Sequence, residues 1–360
     1  MAEPVAPTKV ISDFEATLDK ADKKVASFER QRPNGIQLLR GFLHTNPTSI
    51  PAVVLILSVL IFGVAAGERF FTVGNLSLIL QQVTVTGIVA IAQTIIILTA
   101  GIDLSVGAIM VLCSIIMGKL AVQSGLPELV AIPIGLVAGG LLGYLNGVLV
   151  TYLRLPPFIV TLGTLNIFSA LKLWYSHSES IRNSDIEKQS PLLLWFGETF
   201  QFFGASITYG GVALILLAIL MWYVLSWTAW GRYVHAIGDD PDAAMLAGIR
   251  TKTTLVSVYV VAGVICAFAA WVLIGRVGSV TPLAGETANL DSITAVVIGG
   301  TSLFGGRGSI AGSVLGALIV GVFRNGLSLA GVDVLWQDFT VGILIIVAVA
   351  IDQWLRRSSK

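Results

Sequence analysis

Two polar side chains interrupt a long apolar stretch of the sequence, in the segment LTAGIDLSVGA. Asp103 and Ser105 stand there between Gly101 and Gly107. An ionisable side chain at membrane depth is costly, and it marks a functional site, as a proton relay or as a ligand for a polar solute. The order Asp-Leu-Ser also suits the cap of a helix that begins at Leu104. We favour the cap for the carboxylate, and we expect the segment to line or gate a path.

A second polar group is the acidic run in GDDPDAAMLAGIRTK, where Asp239, Asp240 and Asp242 stand together. Paired carboxylates can serve acid–base chemistry, but a capped helix explains this group better. Asp240 can accept hydrogen bonds from the first backbone N–H groups, and Pro241 suits the first helical position. Gly248 can end the helix. The pattern predicts a helix of about two turns, far too short to span a membrane.

The predicted short helix presents small residues together with an apolar knob formed by Met245 and Leu246. A helix of this kind can dock in a groove of another protein. Alternatively, it is a loop helix that packs only on its own bundle. The spacing of the residues leaves both interpretations open.

Other patterns that carry chemistry are absent from the sequence. His44, His177 and His235 are far apart, and Cys113 and Cys266 both lie in apolar runs, so we expect neither a metal site nor a disulfide. The sequence contains no G-x-S-x-G elbow and no G-x-x-x-x-G-K-[ST] loop. We therefore expect no cofactor and no hydrolytic site, and any ATP hydrolysis must come from a separate chain.

The composition shows what kind of structure must position these residues. Only 12% of the 360 residues are charged and the mean hydropathy is +0.86, whereas about 25% of a soluble domain is charged. Low charge and long apolar runs predict an all-α polytopic membrane protein. The net charge of +1 gives no reason to expect nucleic-acid binding.

The apolar runs predict about ten transmembrane helices. The long run 76–122 is divided in two at Gly101–Asp103, because it is too long for one span. Two glycine-containing segments, 101–107 and 299–312, are predicted to be interrupted or re-entrant elements. The other expected spans are 50–67, 128–153, 157–175, 209–227, 254–275, 292–304, 309–331 and 337–355.

The distribution of Lys and Arg predicts the orientation. With ten spans and the N-terminus inside, fifteen of the 22 basic residues lie in inside segments and four in outside segments. This bias places both termini and the loop 228–253 in the cytoplasm, and residues 1–46 form a charged cytoplasmic extension. The long outside segment 176–208 is either a docking surface for a soluble partner or an ordinary connection with interfacial aromatic residues.

The motifs also carry a family resemblance. DAAMLAG resembles the E-A-A-x-x-x-G signature of the permease subunits of ABC importers, with Asp242 in place of Glu. Together with GRYVHAIGDDPDAAMLAGI, LTAGIDLSVGA, NGVLVTYLRLPPFIVTLGT and VVIGGTSLFGGRGSIAGSVLGA, the chain is similar to the monosaccharide permeases of the ribose, xylose, arabinose and fructose systems. The resemblance covers about residues 50–355 and is strongest to the fructose type.

The resemblance implies a mechanism and partners. A permease domain over 47–356 would pair with a second copy, as a homodimer in the bacterial inner membrane, and would bind a cytoplasmic ATPase and a periplasmic sugar-binding protein. The residues that would couple to the ATPase are Asp242, Ala243, Ala244, Met245, Leu246 and Gly248.

The resemblance also directs attention to polar residues that could line a sugar path. We favour Asp103, Ser105 and Asn146, together with Thr164 and Asn166, which lie in family-like motifs. The other polar candidates within predicted spans, each of which could equally join helices by hydrogen bonds, are Gln81, Gln82, Gln93, Thr161 and Asn325.

Two other classes of function stay open at this point. An ion-coupled secondary sugar transporter would need carboxylates within the membrane as relay groups, and Asp103 is the only candidate. A membrane-embedded enzyme, such as a lipid-linked sugar transferase, would need paired carboxylates or a histidine cluster at one face. The sequence does not identify the sugar.

Overall fold

The computed structural model describes residues 49–285 and 287–357, so the extension predicted for residues 1–46 lies outside the described residues. The described part contains thirteen α-helices and one two-stranded antiparallel hairpin. The α-helices are α1 Ser49–Ala66, α2 Val73–Leu98, α3 Val106–Gly118, α4 Glu128–Thr151, α5 Pro157–Ser176, α6 Asn183–Gln189, α7 Tyr209–Trp227, α8 Ala229–Asp239, α9 Pro241–Leu246, α10 Thr251–Val277, α11 Ala288–Ile298, α12 Ile310–Leu329 and α13 Val334–Arg357.

Short elements complete the chain. A π-helical turn, Lys119–Gln123, extends α3, and 3₁₀ turns follow α1 and precede the hairpin at Gly67–Arg69 and Pro191–Gly197. The hairpin consists of β1 Thr199–Phe202 and β2 Ala205–Thr208. The prediction of an all-α polytopic membrane protein is confirmed, with this small hairpin as an addition.

Within the described part of the chain, eight helices are long and apolar enough to cross a membrane: α1, α2, α3, α4, α5, α7, α10 and α12. Helix α11 and the segment Val334–Leu344 of α13 are shorter apolar helices. With 11 residues, α11 is about 16 Å long, roughly half of the hydrocarbon thickness. The predicted ten helices correspond to these eight together with α11 and α13, and the count of ten transmembrane passes stays a prediction.

The boundary predicted for the short span was wrong. The expected segment 292–304 is replaced by α11, which starts four residues earlier and ends at Ile298. Gly299 and Gly300 follow, and Gly300 adopts a φ of +82°, which stops the helix. Residues 99–105 and 299–309 are both connections between successive helices rather than breaks within one helix.

Helices α2 and α3 form the centre of the bundle. In each of them 78% of the residues in the most apolar 18-residue stretch are buried, whereas the value is 22% in α5 and in α7. The outer helices instead expose large apolar side chains, including Val64 on α1, Ile167 on α5 and Leu216 on α7. Exposed apolar faces on spanning helices are what contact with lipid requires.

Helix α10 crosses α4 at a close glycine contact. A Cβ added at Gly143 would meet the backbone carbonyl of Tyr259, and one added at Gly139 would meet that of Gly263. In a membrane, where lipid is as apolar as the side chains, small residues let helix backbones approach and gain contact energy. The close packing predicted for the small residues of the run 135–143 is confirmed.

The loops separate into two ends of the bundle, which we name from the elements they carry. At the α9 end, the Gly306 amide donates to the Leu98 carbonyl (2.9 Å) and Lys252 Nζ lies 5.7 Å from the centre of the Tyr152 ring. At the hairpin end, the Trp271 indole donates to the Leu192 carbonyl at 3.0 Å. The segment predicted as the outside connection, 176–208, folds at the hairpin end.

Candidate functional site

Helix α9 starts at a side-chain cap. Asp240 has an extended backbone (φ −153°), and its Oδ1 accepts hydrogen bonds from the amides of Asp242 and Ala243, both at 3.0 Å. Pro241 occupies the first helical position, where its missing N–H costs nothing. The cap and the helix start predicted from the sequence are confirmed.

Gly248 and two backbone hydrogen bonds terminate helix α9 just after its last residue, Leu246. The Gly248 amide donates to the Met245 carbonyl (3.0 Å), and the Ile249 amide donates to the Ala244 carbonyl (3.1 Å). This is the Schellman pattern, which requires a left-handed residue just after the helix. Gly248 supplies it with a φ of +85°, and an added Cβ would meet no atom within 4 Å. A side chain at Gly248 would therefore strain the backbone and project into open space.

The two faces of α9 differ. Ala244 is 4% exposed and faces the bundle, whereas Met245 is 58% and Leu246 86% exposed. Asp242 and Ala243 are exposed as well. Helix α9 thus rests on its own bundle through one small residue and leaves an apolar knob uncovered within the described part of the chain.

Helix α8 carries α9 and contacts two turns of the bundle directly through backbone. A Cβ added at Gly238 would lie 2.6 Å from the Gly306 amide nitrogen and would clash with the Leu98 carbonyl oxygen. A Cβ at Gly305 would lie 2.6 Å from the Gly238 carbonyl oxygen. We call this contact of Leu98, Gly238, Gly305 and Gly306 the glycine junction.

The glycine junction joins three separate parts of the chain. Leu98 is the last residue of α2, Gly238 is near the end of α8, and Gly305 and Gly306 belong to the turn between α11 and α12. His235 Nδ1 lies 3.1 Å from the Gly306 carbonyl oxygen, to which it can donate when that nitrogen is protonated. Backbone touches backbone here without intervening side chains, so the junction offers a direct contact from α8 to α2 and to the turn.

The structure brings three of the predicted path residues together. Asp103 Oδ1 accepts hydrogen bonds from the Ser105 amide (2.6 Å) and from the Ser105 hydroxyl (2.7 Å). Asn146 Nδ2 of α4 donates to Ser105 Oγ at 2.8 Å. All three side chains are buried. We call Asp103, Ser105 and Asn146 the Asp103 cluster.

The prediction that Asp103 caps a helix beginning at Leu104 was wrong. Helix α3 begins at Val106, and Ser105, its N-cap residue, makes no side-chain cap bond. Asp103 instead closes a tight turn with Ser105, two residues on, as Asp side chains commonly do. The Ser105 hydroxyl, which also accepts from Asn146, holds the carboxylate in that turn.

The two path residues predicted on α5 behave differently. Thr164 is buried, and its hydroxyl lies 3.4 Å from the Thr161 carbonyl oxygen. Asn166 is exposed and donates to the Leu162 carbonyl of its own helix (2.9 Å), so it does not join the Asp103 cluster. On α5, Thr161 contacts the 99–105 turn: its hydroxyl lies 3.1 Å from the Ile102 carbonyl oxygen and 2.9 Å from the Pro157 carbonyl oxygen of its own helix, and it can donate to either.

A cavity of about 630 Å³ opens at the hairpin end, between α2, α10, α11, α12 and α13. Gln82 and Asn325, which belong to the polar residues predicted within spans, line this cavity. Its further polar lining residues among the described part of the chain are Asn75, Thr86, Arg276, Thr281, Thr287, Asp291, Arg324, Ser328 and Gln337.

The sequence reasoning did not single out the charged residues of this cavity. Arg324 forms ion pairs with Asp291 of α11 (2.8 Å) and Asp338 of α13 (3.1 Å). A signal was present, because a cation in the middle of the apolar run 309–331 is itself a functional-site indication. The partners could not be found that way, since they lie on other helices.

Within the described residues, no group of three or more His, Cys, Asp or Glu side chains is arranged to hold a metal ion. Asp103, Ser105 and Asn146 are instead bonded to one another, although Asn146 Oδ1 has no hydrogen-bond partner among the described residues. The fold and these sites define a polytopic membrane transport subunit.

Comparison with known proteins gives the particular family. Residues 75–349 match the family described as "Branched-chain amino acid transport system / permease component", and the chain belongs to this permease family. The chain is therefore a transport permease rather than an enzyme, and no solved structure matches it.

The names of similar proteins describe sugar transport. The chain is 52% identical to a fructose import permease of Rhizobium meliloti, covering 99% of each protein. It is 38% identical to a ribose import permease of Bacillus subtilis (strain 168), covering 78% of this chain and 84% of the relative. It is 36% identical to the D-allose transport system permease of Escherichia coli (strain K12), covering 84% and 91%. The resemblance to monosaccharide permeases is confirmed.

Proposed function

We propose that this chain is the permease subunit of an ATP-driven importer that carries a monosaccharide of the fructose or ribose class from the periplasm to the cytoplasm. The observation that carries the proposal is the 52% identity to a fructose import permease over 99% of both chains. The family also implies a separate ATPase subunit, a periplasmic sugar-binding protein and a location in the bacterial inner membrane.

The proposed orientation places the α9 end in the cytoplasm. It rests on the positive-inside bias, to which residues 1–46 contribute seven Lys and Arg. The hairpin end would then face the periplasm and receive sugar from the binding protein. With this orientation, the exposed knob of α9 is on the side where ATP is available.

Coupling would run from the ATPase through α9 into the bundle. Met245 and Leu246 form an exposed apolar knob of the kind that fits a groove in a partner. Asp242 and Ala243 belong to the same exposed surface, while Ala244 and Gly248 set how closely and at what angle α9 is held. Motion of α9 reaches α8, and the glycine junction passes it to the end of α2 and to the 299–309 turn.

The Asp103 cluster is proposed as part of the substrate path near the cytoplasm. In this conformation Asp103 Oδ1 and the Ser105 hydroxyl are engaged with each other and with Asn146, so we propose that this part of the path is closed. A sugar could reach Asp103, Ser105 and Asn146 once movement of the glycine junction opens the turn after Leu98. Thr164 would support the turn from α5, and Asn166, which is exposed on the same helix, stays a proposed path residue apart from the cluster.

The ion-coupled alternative has less support. The Asp103 carboxylate is engaged with Ser105 and Asp291 is paired with Arg324, so neither is poised as a free proton relay. The proposed homodimer follows from symmetry, because one chain supplies one coupling helix whereas a paired ATPase offers two docking grooves.

The test is uptake of labelled D-fructose and D-ribose by vesicles that contain this chain, its ATPase and its binding protein and that are loaded with ATP on the inside. We expect uptake that requires hydrolysable ATP, is saturable and favours one of the two sugars. A non-hydrolysable ATP analogue is the control. Uptake that continues with the analogue, or that follows an imposed ion gradient instead, would reject the proposal.

A further inference from the structure

The cavity at the hairpin end has the size of a ligand site. Its volume of about 630 Å³ lies within the range of roughly 300–1,000 Å³ that is typical of small-molecule sites. Five helices contribute to it, and its polar lining residues alternate with apolar ones such as Leu78 and Val320. It lies at the opposite end of the bundle from the Asp103 cluster.

The charges of the cavity balance among the described residues. Arg276 and Arg324 line it together with Asp291, and Asp338 holds the other side of the Arg324 guanidinium. Asp338 does not itself line the cavity, but when it is counted as the ion-pair partner of Arg324, two cations are matched by two carboxylates among the described residues. A balanced site favours a neutral ligand, because an added anion or cation would leave an uncompensated charge.

Several polar groups of the cavity have hydrogen-bonding capacity to spare. Asn325 is 5% exposed, and its side-chain Nδ2 donates to Asn75. Its side-chain oxygen, Oδ1, has no partner among the described residues. The Nε of Arg324 is likewise buried without a partner there. Arg276 makes one long bond, to the Gln82 carbonyl at 3.4 Å. Buried polar groups left unpaired cost free energy, which a ligand with its own donors and acceptors recovers.

We infer that this cavity is a loading site for a neutral monosaccharide that enters from the hairpin end. Sugar hydroxyls can donate to Asn325 Oδ1 and to Asp291, and they can accept from the Arg276 and Arg324 guanidinium groups. The inference rests on the proposed sugar-import function and adds to it a first binding position remote from the Asp103 cluster.

The lining also indicates that the sugar is held loosely. The described lining residues include no Phe, Tyr or Trp, so the site offers no aromatic face on which a sugar ring could stack. A permease site that must release its ligand onward is served by moderate affinity, whereas tight capture belongs to the binding protein.

Protection of a cysteine reports binding directly. Gln82→Cys places a thiol in the cavity, and Gln81→Cys, on the same helix but outside the cavity lining, is the matched control. The native Cys113 and Cys266 are buried and will not compete. We expect saturating transported sugar to slow labelling of the Gln82→Cys variant by a membrane-impermeant maleimide about tenfold. Labelling of the Gln81→Cys variant should not change.

Transport kinetics give a second readout. Arg276→Met removes the donors of a cavity residue at similar length, and Arg69→Met is the control at the same end outside the cavity. We expect Arg276→Met to raise the half-saturating sugar concentration about tenfold, the effect of losing one charged hydrogen bond. The Arg69→Met variant should keep the half-saturating sugar concentration of the wild type.

The outcomes distinguish a failure of the loading site from a failure of the proposed importer function. If wild-type vesicles import sugar but the sugar fails to protect the Gln82→Cys variant, the loading site is wrong and the importer function stands. Protection by inorganic phosphate rather than by sugar would overturn the neutral-ligand assignment. If the wild-type assembly imports neither fructose nor ribose nor any other monosaccharide, the function itself fails, and the loading site fails with it.

Discussion

Replacing Gly248 with Trp is expected to abolish ATP-driven sugar uptake while the permease still folds and inserts. The left-handed backbone at Gly248 (φ +85°) makes any side chain cost roughly 1–2 kcal/mol. Apart from Gly248 itself and its two chain neighbours, no atom of the described residues lies within 4 Å of an added Cβ, so the indole points away from the bundle. It then occupies the space beside Met245 and Leu246, where the ATPase would seat.

Two variants distinguish the effect of side-chain bulk on uptake from the effect of backbone strain. Gly248→Ala carries the same strain with little bulk, and it should retain much of the uptake. Gly125→Trp carries the same bulk at another open position with a positive φ (+67°), at the hairpin end, and should leave stimulation of the ATPase unchanged. ATPase activity and uptake are measured on equal amounts of inserted protein. Normal uptake by the Gly248→Trp variant would remove α9 from the coupling route.

Replacing Gly143 with Leu is expected to prevent the bundle from assembling. The first added atom would meet the Tyr259 carbonyl, and the α10 backbone also lies against Gly139, so α4 and α10 must move apart. Overpacking of a core usually costs 1–3 kcal/mol. A clash against rigid backbone at a helix crossing should cost at least about 3 kcal/mol.

Gly163→Leu is the matched control for this prediction. Gly163 is also a glycine of a spanning helix, α5, but an added Cβ there meets nothing within 4 Å. The measurement is the monodisperse fraction after detergent extraction, followed by thermal unfolding of whatever is recovered. Equal recovery and equal Tm for the two variants would show that the α4–α10 contact is not as close as described.

The parts of the fold that follow from local patterns were predictable. The cap at Asp240 and the stop at Gly248 are set by residues within one short segment, and apolar runs identify the long spans. The end of α11 was predicted too late, because the segment TSLF after Gly299 and Gly300 carries no charge that would mark the end of a span. Local conformation, not hydropathy, ends that helix.

The parts that depend on distant residues were not predictable. The order Asp-Leu-Ser fits both a helix cap and a tight turn, and Asn146 from another helix is part of what holds the turn. The glycine junction joins segments that are far apart in the chain, so no local pattern signals it. The cavity charges lie on separate helices, and only Arg324 was recognisable as unusual, as a cation in an apolar run.

The most direct test of coupling through α9 is site-specific cross-linking to the ATPase. A photoactivatable benzophenone is attached to the thiol of a Leu246→Cys variant, and a Leu153→Cys variant serves as the control. Leu153 is 60% exposed in the connection after α4 at the same end of the bundle. Docking of α9 in the ATPase predicts an efficient adduct with the ATPase from Leu246→Cys that a Gly248→Trp background suppresses. An adduct from Leu153→Cys but none from Leu246→Cys would contradict α9 as the docking element.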